Sequence, residues 1–154
     1  MHAPSIEIAQ KLFPNEKFIE QEENIFISEN RIPKNKRQKE VFEKELKMAR
    51  IAKQCGYDVC LLSENSAGKN PDSIMNGKIT EFKNIAGGIN AVGKRFNEAM
   101  KQSKNVFLHI DSDVTISEIY KKILGEIKAN TYKDGDIFIF CAGKMYTWNV
   151  KKFL

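Results

Sequence analysis

Three side chains stand at a spacing that suits one reaction: Asp72, Glu81 and Lys83. They flank Asn76-Gly77, and the runs Ser73–Met75 and Lys78–Lys83 on either side are extended in character. Asn-Gly between two such runs is a strong hairpin signal. With Asn76 and Gly77 as the central turn residues, Met75 faces Lys78, Ile74 faces Ile79, Ser73 faces Thr80 and Asp72 faces Glu81. Alternation then puts Asp72, Ile74, Ile79, Glu81 and Lys83 on one face. The two opposed acids are expected about 5 Å apart at Cβ.

Opposed carboxylates repel unless something neutralises them. A divalent cation does so, and Mg²⁺ favours one or two protein carboxylates together with waters and phosphate oxygens. Mg²⁺ (or Mn²⁺) is therefore the expected cofactor, with Asp72 and Glu81 as its ligands. Two acids and a lysine around one cation suit phosphodiester hydrolysis. The cation lowers the pKa of a bound water. Lys83 orients that water or offsets charge on the phosphorane.

The elements that must position these groups follow from periodicity. Gln38 to Gln54 reads as a helix with Val41, Phe42, Leu46, Met48, Ala49, Ala52 and Cys55 on one face, stopped at Gly56. Glu45 falls inside that apolar stripe, which is unusual for a glutamate. It either snorkels or pairs with a lysine, or it joins Asp72 and Glu81 as a further catalytic acid. Tyr57 to Leu62 is an apolar run read as a buried strand, and Ser63 to Asn70 is a loop. After the hairpin come a helix from Asn90 to Ser103, a strand from Asn105 to Ile110, and a helix from Ile116 to Ala129 capped by Thr115 or Asp113. Asp136–Cys141 and Met145–Val150 form a terminal hairpin. The order is helix, three strands, helix, strand, then a further helix and a hairpin: a mixed α/β domain around a central sheet. Residues 1–34 are expected to be an N-terminal appendage, with a short helix ended before Pro14, and residues 35–154 the main domain.

These residues resemble a known family. Pro71-Asp72, eight residues, then Glu81-Phe82-Lys83 is similar to the PD-(D/E)xK signature of restriction-endonuclease-like nucleases. That family's core has the element order just read, and the resemblance covers residues 38–110. It implies that Asp72 and Glu81 bind metal, that Lys83 is the catalytic lysine and that Glu45 is the acid many members carry on the first helix. Within that family, Lys69 through Ile85, the basic helix and Val106–Asp111 resemble C-terminal domains of contact-dependent growth-inhibition toxins and related phage and mobile-element domains. Many of those cut tRNA. The resemblance therefore implies a nuclease toxin acting on RNA, tRNA foremost, or on DNA. It implies delivery into the cytoplasm of a target bacterium and a small cognate immunity protein. Two alternatives stand beside it: a metal-independent ribonuclease toxin of the barnase/colicin/RelE type, and an inert nucleic-acid-binding or docking module.

Composition agrees with a globular chain. Of 154 residues 42% are hydrophobic and 29% charged, with a net charge of +5. A positive excess suits a polyanion. Lys94 and Arg95, on the basic second helix, are the candidate contacts to its backbone. No apolar run approaches the roughly 20 residues needed to cross a bilayer, and the first residues lack the pattern of a signal peptide. The three cysteines, Cys55, Cys60 and Cys141, are expected as buried free thiols. His109 is expected to pack in its strand, Trp148 and Tyr146 to close the core, and Ser63, Asn65 and Ser66 to be loop residues.

Overall fold

The structure, a computed structural model, describes residues 4–63 and 72–154. Asn65, Ser66, Lys69, Asn70 and Pro71 lie outside the described residues. The chain forms two compact units, Met1–Thr80 and Glu81–Leu154.

The first unit holds α1 (Ser5–Leu12), β1 (Phe18–Glu22), β2 (Ile25–Ser28), a 3-10 turn (Glu29–Arg31), α2 (Lys36–Gln54), β3 (Val59–Leu61), β4 (Ser73–Met75) and the start of β5 (Lys78–Ile85). Its strands run in the order β1-β2-β3-β4-β5. β2 and β3 are parallel, and the other neighbours are antiparallel. The apolar residues Phe18-Ile19 and Ile25-Phe26-Ile27 lie in β1 and β2. β2 is hydrogen-bonded to β3, so the segment expected as an appendage contributes strands to the sheet of this unit. The sequence hides this because a parallel pairing between distant segments leaves no local turn signal.

Strand alternation organises the packing. Cys60, Leu62 and Ile74 form one cluster with Ala9 of α1, while Val59 and Leu61 point to the opposite face. α2 packs against β2 and β3, burying Leu46, Met48, Ala49, Ile51 and Ala52. Two members of the expected stripe are corrected: Val41 is 45% exposed, and Cys55, the C-cap of α2, is exposed as well. Both stand toward the ends of α2, beyond the strands it covers. The N-cap of α2 is Asn35, whose side chain accepts from the Gln38 N–H.

The second unit continues β5 and adds α3 (Ile89–Gln102), β6 (Val106–Ile110), α4 (Ile116–Asn130), β7 (Asp136–Cys141) and β8 (Lys144–Asn149). The strand order is β5-β6-β7-β8, parallel except for the last hairpin. One sheet face is the core. Ile85, Val106, Leu108, Ile110, Ile137 and Ile139 meet Val92, Phe96 and Ala99 of α3 and Ile119, Ile123 and Ile127 of α4. The capping box at the start of α4 is Thr115 with Glu118. Trp148 is buried and meets Tyr120 edge to face at 5.2 Å, so it closes the core. His109 is buried beside the Phe140 ring. Asp134 accepts from the Gly135 N–H at 2.8 Å just before β7 begins at Asp136. The helix, three strands, helix, strand, helix and hairpin read from the sequence are all present, as a mixed α/β fold.

Candidate active site

The hairpin that carries the motif folds as its turn residues dictate. Asn76 and Gly77 have φ of 52° and 79°, the two positive values of a type I′ turn. Ser73 lies opposite Thr80, Ile74 opposite Ile79 and Met75 opposite Lys78, as the turn requires. α1 fastens this hairpin: Ser5 Oγ accepts from the Gly77 N–H at 3.0 Å, and Ser5 N donates to Asp58 at 2.6 Å. Asp72 is the next residue of β4's segment beyond the Ser73–Thr80 pair. It is half-buried, and its carbonyl accepts from the Leu62 N–H at 2.9 Å.

Glu81 opens the second unit. Its carboxylate-bearing side chain is 8% exposed. Its backbone N–H donates to the Asn105 carbonyl at 3.0 Å, and the Asn105 side chain accepts from the Asp136 N–H at 3.0 Å. Buried Asn105 thus ties the start of β5 to β7 and fixes where Glu81 stands. Register places Glu81 beside Val106 and Lys83 beside Leu108. By alternation Glu81 and Lys83 share the face of Ile85, the face that α3 covers.

On that face the charges meet. Lys83 Nζ lies 3.8 Å from Glu81 Oε2 and 4.0 Å from Glu98 Oε2 on α3. Arg95 Nη1 donates to Glu98 Oε2 at 3.0 Å. Burial opposes the ionised form of Glu98, but the Arg95 hydrogen bond and the charges of Arg95, Lys83 and Lys94 outweigh it and hold its carboxyl below the ordinary range. The second unit therefore brings together Glu81 and Lys83 of the motif, adds Glu98, and turns Arg95 toward Glu98. Lys94 is exposed on the same helix. Glu98 was legible only in part. It lies four residues after Lys94 and three after Arg95, which reads as an ordinary helix-surface ion pair.

Glu45 is half-buried on α2, and its partner is an arginine, not a lysine. Oε2 of Glu45 accepts from Nη2 of Arg31. Arg31, at the end of the 3-10 turn, has a side chain only 6% exposed. Nothing in the local pattern around Arg31 marks it as buried.

Asp72 and Glu81, the acids expected to hold a cation, fall in different units. They offer carboxylate oxygens only, and Mg²⁺ asks for no more than one or two of these. Among the described residues, no group of three or more His, Cys, Asp and Glu side chains is placed to hold a metal ion. No helix among them is long and apolar enough to cross a membrane.

Comparison with known proteins adds two findings. Residues 69–143 match the sequence model of a family described as the contact-dependent growth inhibition CdiA C-terminal domain. In fold, the chain is similar to a structure of a CdiA-CT/CdiI toxin and immunity complex from Burkholderia pseudomallei. The TM-score is 0.54 at 20% identity, covering 76% of this chain and 92% of that one. The comparison with curated proteins gave no match.

Proposed function

We propose that this chain is a toxin-type endonuclease domain that hydrolyses phosphodiester bonds, with RNA (tRNA foremost) as first substrate and DNA as second. One observation carries the reading: the Lys83 ammonium stands 3.8 Å from the buried Glu81 carboxylate, inside the segment that matches a growth-inhibition toxin family. A buried acid and a lysine two residues apart on one strand face, beside a basic helix, suit chemistry on a phosphate.

Asp72 and Glu81 would hold Mg²⁺ or Mn²⁺, which when bound supplies a water of lowered pKa and charge at the scissile phosphate. The Lys83 ammonium donates hydrogen bonds to the attacking water or to a non-bridging phosphate oxygen as charge builds there. The water oxygen forms the new bond to phosphorus as its proton passes to solvent, and the bond to the leaving oxygen breaks as that oxygen takes a proton from solvent. Glu98 holds Lys83 from the α3 side. Lys94, exposed on α3, takes a neighbouring phosphate of the strand. Glu45, paired with Arg31, would be the further acid that the resemblance assigns to the first helix.

A toxin of this kind needs a partner that silences it in the producing cell. The similar solved structure is of a toxin with its immunity protein, and a chain of net charge +5 suits a small acidic one. Its place of action would be the cytoplasm of the target cell. The test is incubation of the purified chain with total RNA and with plasmid DNA, each with Mg²⁺ and with a chelator. Cleavage that needs the cation supports the reading. Undiminished cleavage in chelator favours a metal-independent ribonuclease, and no cleavage of either favours an inert binding module.

A further inference from the structure

The seam between α3 and α4, within the second unit, carries a lysine whose place is prepared for it. Gly93 is buried on α3, and Lys122 of α4 is half-buried. The Lys122 stem lies across Gly93. Its Cε fills the space that a β-carbon at 93 would take, with Cγ and Cδ 3.4 Å from that point. Glycine is a poor residue for a helix interior, and here its bare backbone is what lets the stem through. One turn further along both helices, Asn97 Nδ2 donates to Glu126 Oε1 at 2.8 Å, and Asn97 Oδ1 accepts from the Tyr132 hydroxyl at 2.9 Å. The Asn97–Glu126 bond sets α3 against α4 and so sets Lys122 over Gly93.

The ammonium at the end of that stem is left without a carboxylate. Glu118, four residues earlier, is the ordinary helix partner of such a lysine, but its Oε1 is taken by the Thr115 N–H and hydroxyl at 3.1 and 3.0 Å. Glu126, four residues later, is taken by Asn97. Among the described residues Lys122 has no hydrogen-bond or ion-pair partner, and neither has Lys101. Lys94 and Lys101, seven apart, are exposed on one face of α3, and Lys94 is the neighbour of Gly93. Arg95 and Glu98 of the candidate site stand within one turn of Lys94. Between residues 81 and 154 there are twelve Lys and Arg against eight Asp and Glu, so this unit holds four of the chain's five net positive charges. Cations without partners beside a candidate phosphodiester site match the charge of a nucleic-acid backbone.

We propose that Lys122, seated on Gly93, binds a backbone phosphate of the nucleic-acid substrate, with Lys94 and Lys101 on the phosphates beside it. The α3–α4 seam is then a backbone track next to the candidate site. This rests on the reading that nucleic acid is the substrate, and it adds a contact from α4 that the motif does not contain. A phosphate contact carries no base information, so the track grips different sequences alike.

The test is fluorescence anisotropy of the full chain with a labelled single-stranded RNA oligonucleotide of mixed sequence, over a range of salt concentrations. The RNA is 2′-O-methylated and held in chelator, so that it is bound but not cut. Lys122→Gln is expected to bind about three- to tenfold more weakly and to lose about 0.7 from the slope of log affinity against log salt, the share of one phosphate contact on a single strand. Gly93→Ala keeps every charge and puts the better helix former into α3. The flexible Lys122 stem can step aside, so the urea midpoint is expected to hold or rise while affinity and slope fall as in Lys122→Gln. Lys128→Gln, exposed six residues after Lys122 and on a different face of α4, is the charge control and is expected to bind as wild type does. Circular dichroism checks each fold. No binding by wild type, wild-type affinity and slope in a folded Lys122→Gln or Gly93→Ala, or an equal loss in Lys128→Gln would overturn the proposal. The first of these leaves the face to a protein partner. Cleavage of unmodified RNA by the same preparations keeps the two readings apart. Cleavage with unchanged binding in the variants removes only the track, and weakened binding in the variants without cleavage by wild type removes only the nuclease reading.

Discussion

Lys83 Nζ stands between two carboxylates, 3.8 Å from Oε2 of Glu81 on its own strand and 4.0 Å from Oε2 of Glu98 on α3. One partner is buried and belongs to the motif. The other reaches over from the helix and is itself held by Arg95. In the proposed reaction Glu98 would act through Lys83 as a positioning residue. Glu98→Gln is expected to leave the fold intact and to lower kcat on the order of ten- to a hundredfold with little change in KM. An equal loss in an exposed variant of another element of the second unit, such as Lys128→Gln on α4, would show that the effect is general.

The same residue sets a pH dependence. Glu98 has its carboxyl held below the ordinary range, with burial opposing and Arg95 and Lys83 prevailing. A depressed acid contributes stability above its unfolded pKa and loses it as pH falls through the folded value. The wild type and Glu98→Gln should therefore differ in urea midpoint at pH 7 and converge as pH falls through the lowered folded value. The group is partly exposed, so the difference is small. A constant difference across that range would contradict the assignment.

The capping box offers an independent check on the second unit. Thr115→Ala removes the side chain that accepts from the Glu118 N–H, and is expected to cost about 1 kcal/mol in urea unfolding. Glu118 is held below the ordinary range by the Thr115 N–H and hydroxyl. The cap's contribution should fade as pH falls through that lowered value, leaving the two proteins closer at low pH than at neutral pH.

The thiols report on both units. Burial pushes Cys60 up to about 12 and raises Cys141 and, less buried, Cys55. A thiol reagent at pH 8 should modify Cys55 in the native chain and reach Cys60 and Cys141 only in denaturant. Rapid reaction of all three in the native protein would contradict the packing of β3 and β7.

What the sequence made legible follows from how local each signal was. The hairpin register was readable because Asn76-Gly77 sets it within four residues. The cap at Thr115, the ends of α3 and α4, and the terminal hairpin were readable for the same reason. Strands β1 and β2 were not, since β2 is completed by β3, more than thirty residues on. Val41 and Cys55 looked like core because a wheel knows the side of a helix but not how far its neighbours extend. In the candidate site, Glu81 and Lys83 were visible as a strand-spaced pair. Glu98 and Arg31 were not, because each owes its role to a charge brought near by folding.

The most direct measurement is cleavage of total RNA and of plasmid DNA by wild type and by Asp72→Ala, Glu81→Ala and Lys83→Ala, each with Mg²⁺ and with chelator. Circular dichroism confirms that the variants fold. The expected result is cleavage by wild type in Mg²⁺ alone, at least about 10³-fold lost in each variant, with Lys83→Ala keeping most of its Mn²⁺ affinity while Asp72→Ala and Glu81→Ala lose theirs. Full cleavage in chelator, or a folded Lys83→Ala variant as active as wild type, would contradict the metal-assisted site at Glu81 and Lys83.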